Sequence, residues 1–147
     1  EPAEPPEARV RGWAEGLRVI VDNLLDNAAI HGADEAGRAH VTVTLAVEDG
    51  RVVLAVRDRG RGIPPDERER VFDRFRRGAD SPGSGLGLTL VRQQALLHGG
   101  DVEAVEPADG VGARFEVRLP RHGDGLTHRE RPEREAGLAG WLAGSRP

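Results

Sequence analysis

The sequence has no cysteine and no methionine, and all 21 of its basic residues are arginine. Without cysteine there are no disulfides and no thiolate metal sites. Without lysine there is no lysine-bearing phosphate loop of the P-loop kind. A chain lacking methionine did not begin at its own start codon, so it reads as a piece of something longer. No apolar run approaches the roughly 20 residues of a membrane span. The start, EPAEPPEARVRG, is acidic and proline-rich, unlike a secretory signal. The net charge of −4 disfavours non-specific nucleic-acid binding. What is present is an ordinary globular balance, 37% hydrophobic and 31% charged over 147 residues, which fits one domain with a core.

Residues 1–12 read as a linker or the remnant of a first strand, with a strand end at Ala8–Arg11. Apolar residues at Leu17, Ile20, Val21, Leu24, Leu25 and Ala28 keep helical spacing up to His31, and Gly32 is a plausible stop. HVTVTLAV (40–47) and RVVLAVRD (51–58) read as strands joined at Asp49-Gly50, a strong hairpin signal. Pro64 and Pro65 open a short helical stretch, DERERVFDRF, and RGADSPGSG (77–85) reads as a flexible loop. A second long helix is expected over Leu86–His98, closed by Gly99-Gly100. Asp101–Val105 and Ala113–Leu119 read as two further strands. Residues 121–147 are expected to be a polar, mobile tail with at most a short helix near Trp141. This order implies an α/β two-layer sandwich, helices on one face of a mostly antiparallel sheet.

The first helix carries Asn23 and Asn27 one turn apart. At about 100° per residue, Asn27 points almost where Ile20 does, so it lies on or beside the buried face. A buried amide needs hydrogen-bond partners. Two readings stand: an asparagine bonded to backbone, or an oxygen ligand for a hard cation that is shared with phosphates, as Mg²⁺ often is. Asp58 follows directly on a strand in DRGRGIP (58–64). It reads either as a turn cap or as an acceptor for an exocyclic amino group such as that of adenine. Gly60 and Gly62 allow close approach there. GSGLGL (83–88) frees the backbone before a helix start, where N–H groups and the helix dipole favour phosphate. Phe72 and Phe75 in VFDRFRRG read as core packing. Arg76 and Arg77 read as phosphate-reaching side chains or a solvated basic turn.

Taken in order, NLLDNA, DRGRG, VFDRFRRG, GSGLGLTLV, HGGDV and a last strand ending in LP closely resemble the ATP-binding catalytic domain of two-component sensor histidine kinases, from about Trp13 to Pro120. That family belongs with the gyrase, heat-shock chaperone and mismatch-repair ATPases. The resemblance implies a two-layer sandwich of the Bergerat type, three helices on a mixed, mostly antiparallel sheet, over residues 13–120. It implies ATP and Mg²⁺ as ligands. Asn27 matches the magnesium-coordinating asparagine and Asn23 its companion polar position. Asp58 matches the aspartate that binds the adenine amino group, with Gly60, Gly62 and Ile63 shaping that pocket. Phe72, Phe75, Arg76 and Arg77 match the F-box and the start of a mobile lid. Gly83, Ser84, Gly85, Leu86, Gly87 and Leu88 match the second glycine box, which holds phosphates.

Where relatives often carry Lys or Arg, this chain has Ile30, and the adjacent His31 can supply a hydrogen bond instead. The lid, about residues 76–84, is short. In related ATPases that hydrolyse ATP, the Asn23 position is a glutamate that activates water. Asparagine has no useful basicity, so Asn23 orients the metal or its water and the γ-phosphoryl group is kept for another nucleophile. Asn23 and Arg77 are therefore the catalytic candidates. The resemblance implies transfer to a histidine on a separate dimerisation domain, relay to a response regulator, and a fragment that faces the cytoplasm without touching the membrane or nucleic acid. None of His31, His40, His98, His122 and His128 has the context of that phosphorylated histidine. Two alternatives share the fold: a stand-alone serine kinase of the anti-sigma type, and a non-catalytic interaction module that lost nucleotide binding.

Overall fold

The computed structural model describes residues 8–73 and 87–122, and the backbone of 135–137. Strand β1 (Arg9–Arg11) leads into helix α1 (Ala14–His31). A hairpin of β2 (Thr42–Glu48) and β3 (Arg51–Arg57) follows. Helix α2 (Gly87–Leu97), β4 (Asp101–Val105), β5 (Arg114–Pro120) and β6 (Glu135–Gly137) complete the order. The main sheet runs β2-β3-β5-β4, and every ladder among the described residues is antiparallel. The allowance for a mixed sheet is thus not used by these strands.

The hairpin turn forms as its residues dictate. Asp49 and Gly50 both take positive φ, at 51° and 74°, which matches a two-residue turn to the strand twist. Alternation then sorts the faces. Val52, Leu54 and Val56 of β3 and Phe115, Val117 and Leu119 of β5 point into the core. Leu17, Ile20, Val21, Leu24 and Ala28 of α1, with Val91 and Ala95 of α2, cover them. Each fully buried Leu or Ile stabilises by about 1.5–3 kcal/mol. On the other face of β5, Glu116 accepts hydrogen bonds from Arg114 at 3.3 Å and Arg118 at 2.7 Å. Those residues lie across from Val53, Ala55 and Arg57 of β3, so arginine and glutamate stems roof the second side of the central strand.

The short helical stretch expected over DERERVFDRF is, in its described part, two 3₁₀ turns, Pro65–Glu67 and Arg70–Phe72, closed by Glu67 N–H to the Pro64 carbonyl and Asp73 N–H to the Arg70 carbonyl, both 2.9 Å. Pro64 and Pro65 stand at the start of the first turn, where a helix needs no amide donor and the fixed φ of proline suits its opening. At the N-terminal end, Val10 is 1% exposed and bridges to Arg121, while His122 donates its N–H to the Arg9 carbonyl at 2.7 Å. Glu135–Gly137, inside the stretch expected as a tail, pairs antiparallel with β1. Trp141 lies outside the described residues. No described helix is long and apolar enough to cross a membrane.

Candidate functional site

Three pieces of chain meet where glycines let backbone touch backbone. Helix α1 ends at Gly32, and a Cβ placed there would lie 2.4 Å from the Asp58 Cβ. A Cβ on Gly60 would lie 2.6 Å from both the His31 carbonyl oxygen and the Gly32 Cα. The C-terminal end of α1 and the turn after β3 are therefore pressed together as only paired glycines permit. At the other end of the asparagine pair, a Cβ on Gly87 would sit 3.0 Å from Asn23 Oδ1, which fixes the start of α2 against α1.

Within this junction Asp58 is 3% exposed. Its Oδ1 accepts the Gly60 N–H at 2.9 Å and the Ala113 N–H at 3.1 Å, and its own N–H is given to the Ala113 carbonyl at 2.9 Å. Among the described residues Oδ2 takes no hydrogen bond. A carboxylate held by one oxygen, with the other uncommitted, can accept from an amino group. The reading of Asp58 as a turn cap is met through Oδ1, and Oδ2 is left open.

The two asparagines divide the same way. Asn23 donates from its amide to the Val19 carbonyl at 2.7 Å, the backbone-bonded reading, and keeps Oδ1 toward Gly87. Asn27, half-buried a turn later, makes no hydrogen bond among the described residues. Its amide oxygen is of the hard type that suits Mg²⁺, which keeps waters and phosphates as its other ligands. No group of three His, Asp or Glu side chains that could hold a metal ion is found among the described residues. Ile30 is 48% exposed and points away from the core. His31 is half-buried beside it.

Ile63 and Leu88 pack against the core from its margin, and Gly62 takes a φ of 75° with its Cα close to the Gly112 carbonyl. Phe72 belongs to the core: it is 5% exposed and meets Phe115 edge-on, ring centres 6.1 Å apart. Its carbonyl accepts the Thr89 hydroxyl at 2.9 Å, tying the Arg70–Phe72 turn to the start of α2. Phe75, Arg76, Arg77, Gly83, Ser84, Gly85 and Leu86 lie outside the described residues.

Three features escaped the sequence reading. Gly32 reads only as a helix stop and Gly112 carries no signal of its own, yet both crowd Asp58. The turn between β4 and β5 is tied down by Asp109, which pairs with Arg57 and lies 3.6 Å from Arg59. The Arg57 bond and the Val111 N–H hold the Asp109 carboxyl down to about 2. The third is His98, read only as a helix-end residue. It is buried, with Nδ1 2.7 Å from the Gln94 carbonyl and Nε2 accepting the Trp13 N–H at 3.1 Å. A carbonyl can only accept and an amide N–H only donate, so the ring is neutral with its proton on Nδ1. It pins the start of α1 to the end of α2. HGGDV gave the position of this residue but not its partner 85 positions upstream.

Residues 13–123 match the family model described as histidine kinase-, DNA gyrase B-, and HSP90-like ATPase. The sensor-type histidine kinase PrrB of Mycobacterium tuberculosis is 44% identical over 117 residues, 78% of this chain and 25% of that protein. The signal transduction histidine-protein kinase AfsQ2 of Streptomyces coelicolor is 42% identical over 109 residues, 71% of this chain and 19% of that protein. The chain thus spans about a quarter or less of the length of the curated relatives it matches. Among solved structures, the ATP-binding domain of Mycobacterium tuberculosis PrrB superposes with a TM-score of 0.65 at 37% identity, over 82% of this chain and 78% of that one. A full-length ShkA structure in complex with AMPPNP gives 0.63 at 33% identity, over 76% of this chain and 22% of that one.

Proposed function

Because this chain belongs to the histidine kinase-, DNA gyrase B-, and HSP90-like ATPase family, we propose that it binds Mg·ATP and presents the γ-phosphoryl group to a histidine on a separate dimerisation domain of a parent sensor kinase, for relay to a response regulator. The observation that carries the reading is the pair of uncommitted oxygens, Asn27 Oδ1 and Asp58 Oδ2, on elements that Gly32 and Gly60 bring into contact. Asp58 Oδ2 accepts the adenine amino group. Asn27 would lend one oxygen to Mg²⁺, and the ion would supply neutralisation of phosphate charge. Asn23, its amide tied to Val19, offers no base to activate water, so ATP is hydrolysed slowly. Arg76, Arg77 and the backbone of Gly83–Leu88 would supply the phosphate contacts, with His31 in place of the basic residue that Ile30 replaces. A histidine nitrogen attacks the γ-phosphorus, the bond to the bridging oxygen breaks, and ADP leaves. In this role the domain faces the cytoplasm, needs no nucleic acid and touches no membrane itself.

The test is phosphotransfer in two parts. Radiolabelled ATP and the chain alone should give no acid-labile phosphohistidine. Adding a histidine-bearing dimerisation domain should give it. Robust phosphohistidine from the chain alone, or none with the matched domain, contradicts the reading. Phosphoserine on an anti-anti-sigma substrate would favour the serine-kinase alternative, against which Asn23 stands. A folded chain that binds no nucleotide would leave the interaction module.

A further inference from the structure

The β4–β5 turn has no role in the phosphotransfer chemistry, yet it grips Asp58 from two sides. Successive residues of an extended strand point to opposite faces. Arg57 and Arg59 therefore share one face at the end of β3, and Asp58 takes the other. Asp109 meets the first pair: it bonds Arg57 and lies 3.6 Å from Arg59. Arg57 also donates to the Val111 carbonyl at 3.1 Å. Four residues on, the same turn reaches the inner face, where Ala113 exchanges two hydrogen bonds with Asp58, one of them to Oδ1. Between them Gly112 passes over the Asp58 carbonyl so closely that a Cβ would stand 2.0 Å from it, and its φ of 79° suits glycine alone. Asp109 closes its own turn by accepting the Val111 N–H at 3.0 Å.

We infer that the Arg57–Asp109 pair is a strap that holds Ala113 against Asp58 and so fixes which carboxylate oxygen is left to read the exocyclic amine of the base. The strap is a positioning device. It touches no ligand, and it sets specificity for a 6-amino purine by keeping Oδ1 occupied and Oδ2 free. This rests on the assignment of Asp58 to the adenine amine.

The test compares the affinity of the 147-residue chain for ATP with that for purine riboside triphosphate, which lacks the amine, by calorimetry with Mg²⁺. The wild type should prefer ATP. Asp109→Asn keeps an oxygen for the Val111 N–H but removes the charge, and should narrow the preference by roughly fivefold, the upper end for a half-exposed pair. The loss should fall on ATP and leave the analogue unchanged. Reversing the pair, Arg57→Glu with Asp109→Arg, should recover part of the preference. If Asp109→Asn leaves the ratio intact, or weakens both ligands equally, the strap has no part in base selection. A wild type without preference removes the assignment of Asp58, and the inference with it. Asp58→Ala separates the two failures, because it should abolish the preference even where the strap proves silent.

Discussion

Gly60→Ala is the sharpest perturbation of the junction. Its Cβ would stand 2.6 Å from the Gly32 Cα and the His31 carbonyl and 2.9 Å from the Gly32 carbonyl carbon. All three are backbone atoms, so no side chain can rotate away. The helix end and the Asp58 turn would have to separate by at least about 0.4 Å merely to reach the 3.0 Å limit of real Cβ contacts. Overpacking of this kind costs about 1–3 kcal/mol, and an all-backbone cage puts it near the top. Gly60 does not occupy the left-handed region, so the cost is steric and not one of backbone strain. The same movement carries Asp58 away from Asn27, and misplacement on this scale weakens a positioned ligand by roughly tenfold or more. Urea unfolding gives the first quantity and calorimetry with an ATP analogue the second. Gly37→Ala is the control. Its φ is 80° with nothing within 4 Å, so it should cost only about 1–2 kcal/mol of backbone strain and leave affinity unchanged. A Gly60→Ala protein with wild-type stability and wild-type affinity would refute the reasoning.

Two more outcomes are expected. His98→Ala removes the acceptor of the Trp13 N–H and the edge-on contact between the rings, whose centres are 5.2 Å apart. It should destabilise by roughly 1–2 kcal/mol and speed hydrogen exchange at the Trp13 amide, and unchanged exchange there would show that the bond carries nothing. Asp109 gives an acid limb to stability. Its carboxyl is lowered from 3.8 to about 2, so its contribution is full above about pH 4 and fades as pH falls through 2. Asp109→Asn should flatten that part of a urea-midpoint profile, and a profile identical to wild type would count against the pair.

The helices and strands were legible because their patterns are local. The α1 stripe from Leu17 to Ala28 and the Asp49-Gly50 turn state their own geometry, and both stand where they were expected. DERERVFDRF carries a helical signal, and its described part meets it as two short 3₁₀ turns. Asp58 could be chosen from its place at a strand end. What no local pattern carries is the other half of each long-range pair. Ala113 contributes only backbone to Asp58, and backbone has no sequence signature. Asp109 looked like turn punctuation, and His98 like a helix end, because Arg57 and Trp13 lie 52 and 85 positions away.

Asn27 is proposed to hold a metal between this chain and a nucleotide. That role is tested most directly by titrating a non-hydrolysable ATP analogue into the wild type and Asn27→Ala, each with Mg²⁺ and with EDTA. Wild-type binding should strengthen with Mg²⁺, and a folded Asn27→Ala protein should bind more weakly and no longer respond to the ion. Binding that ignores Mg²⁺ in the wild type, or responds equally in both proteins, contradicts that role.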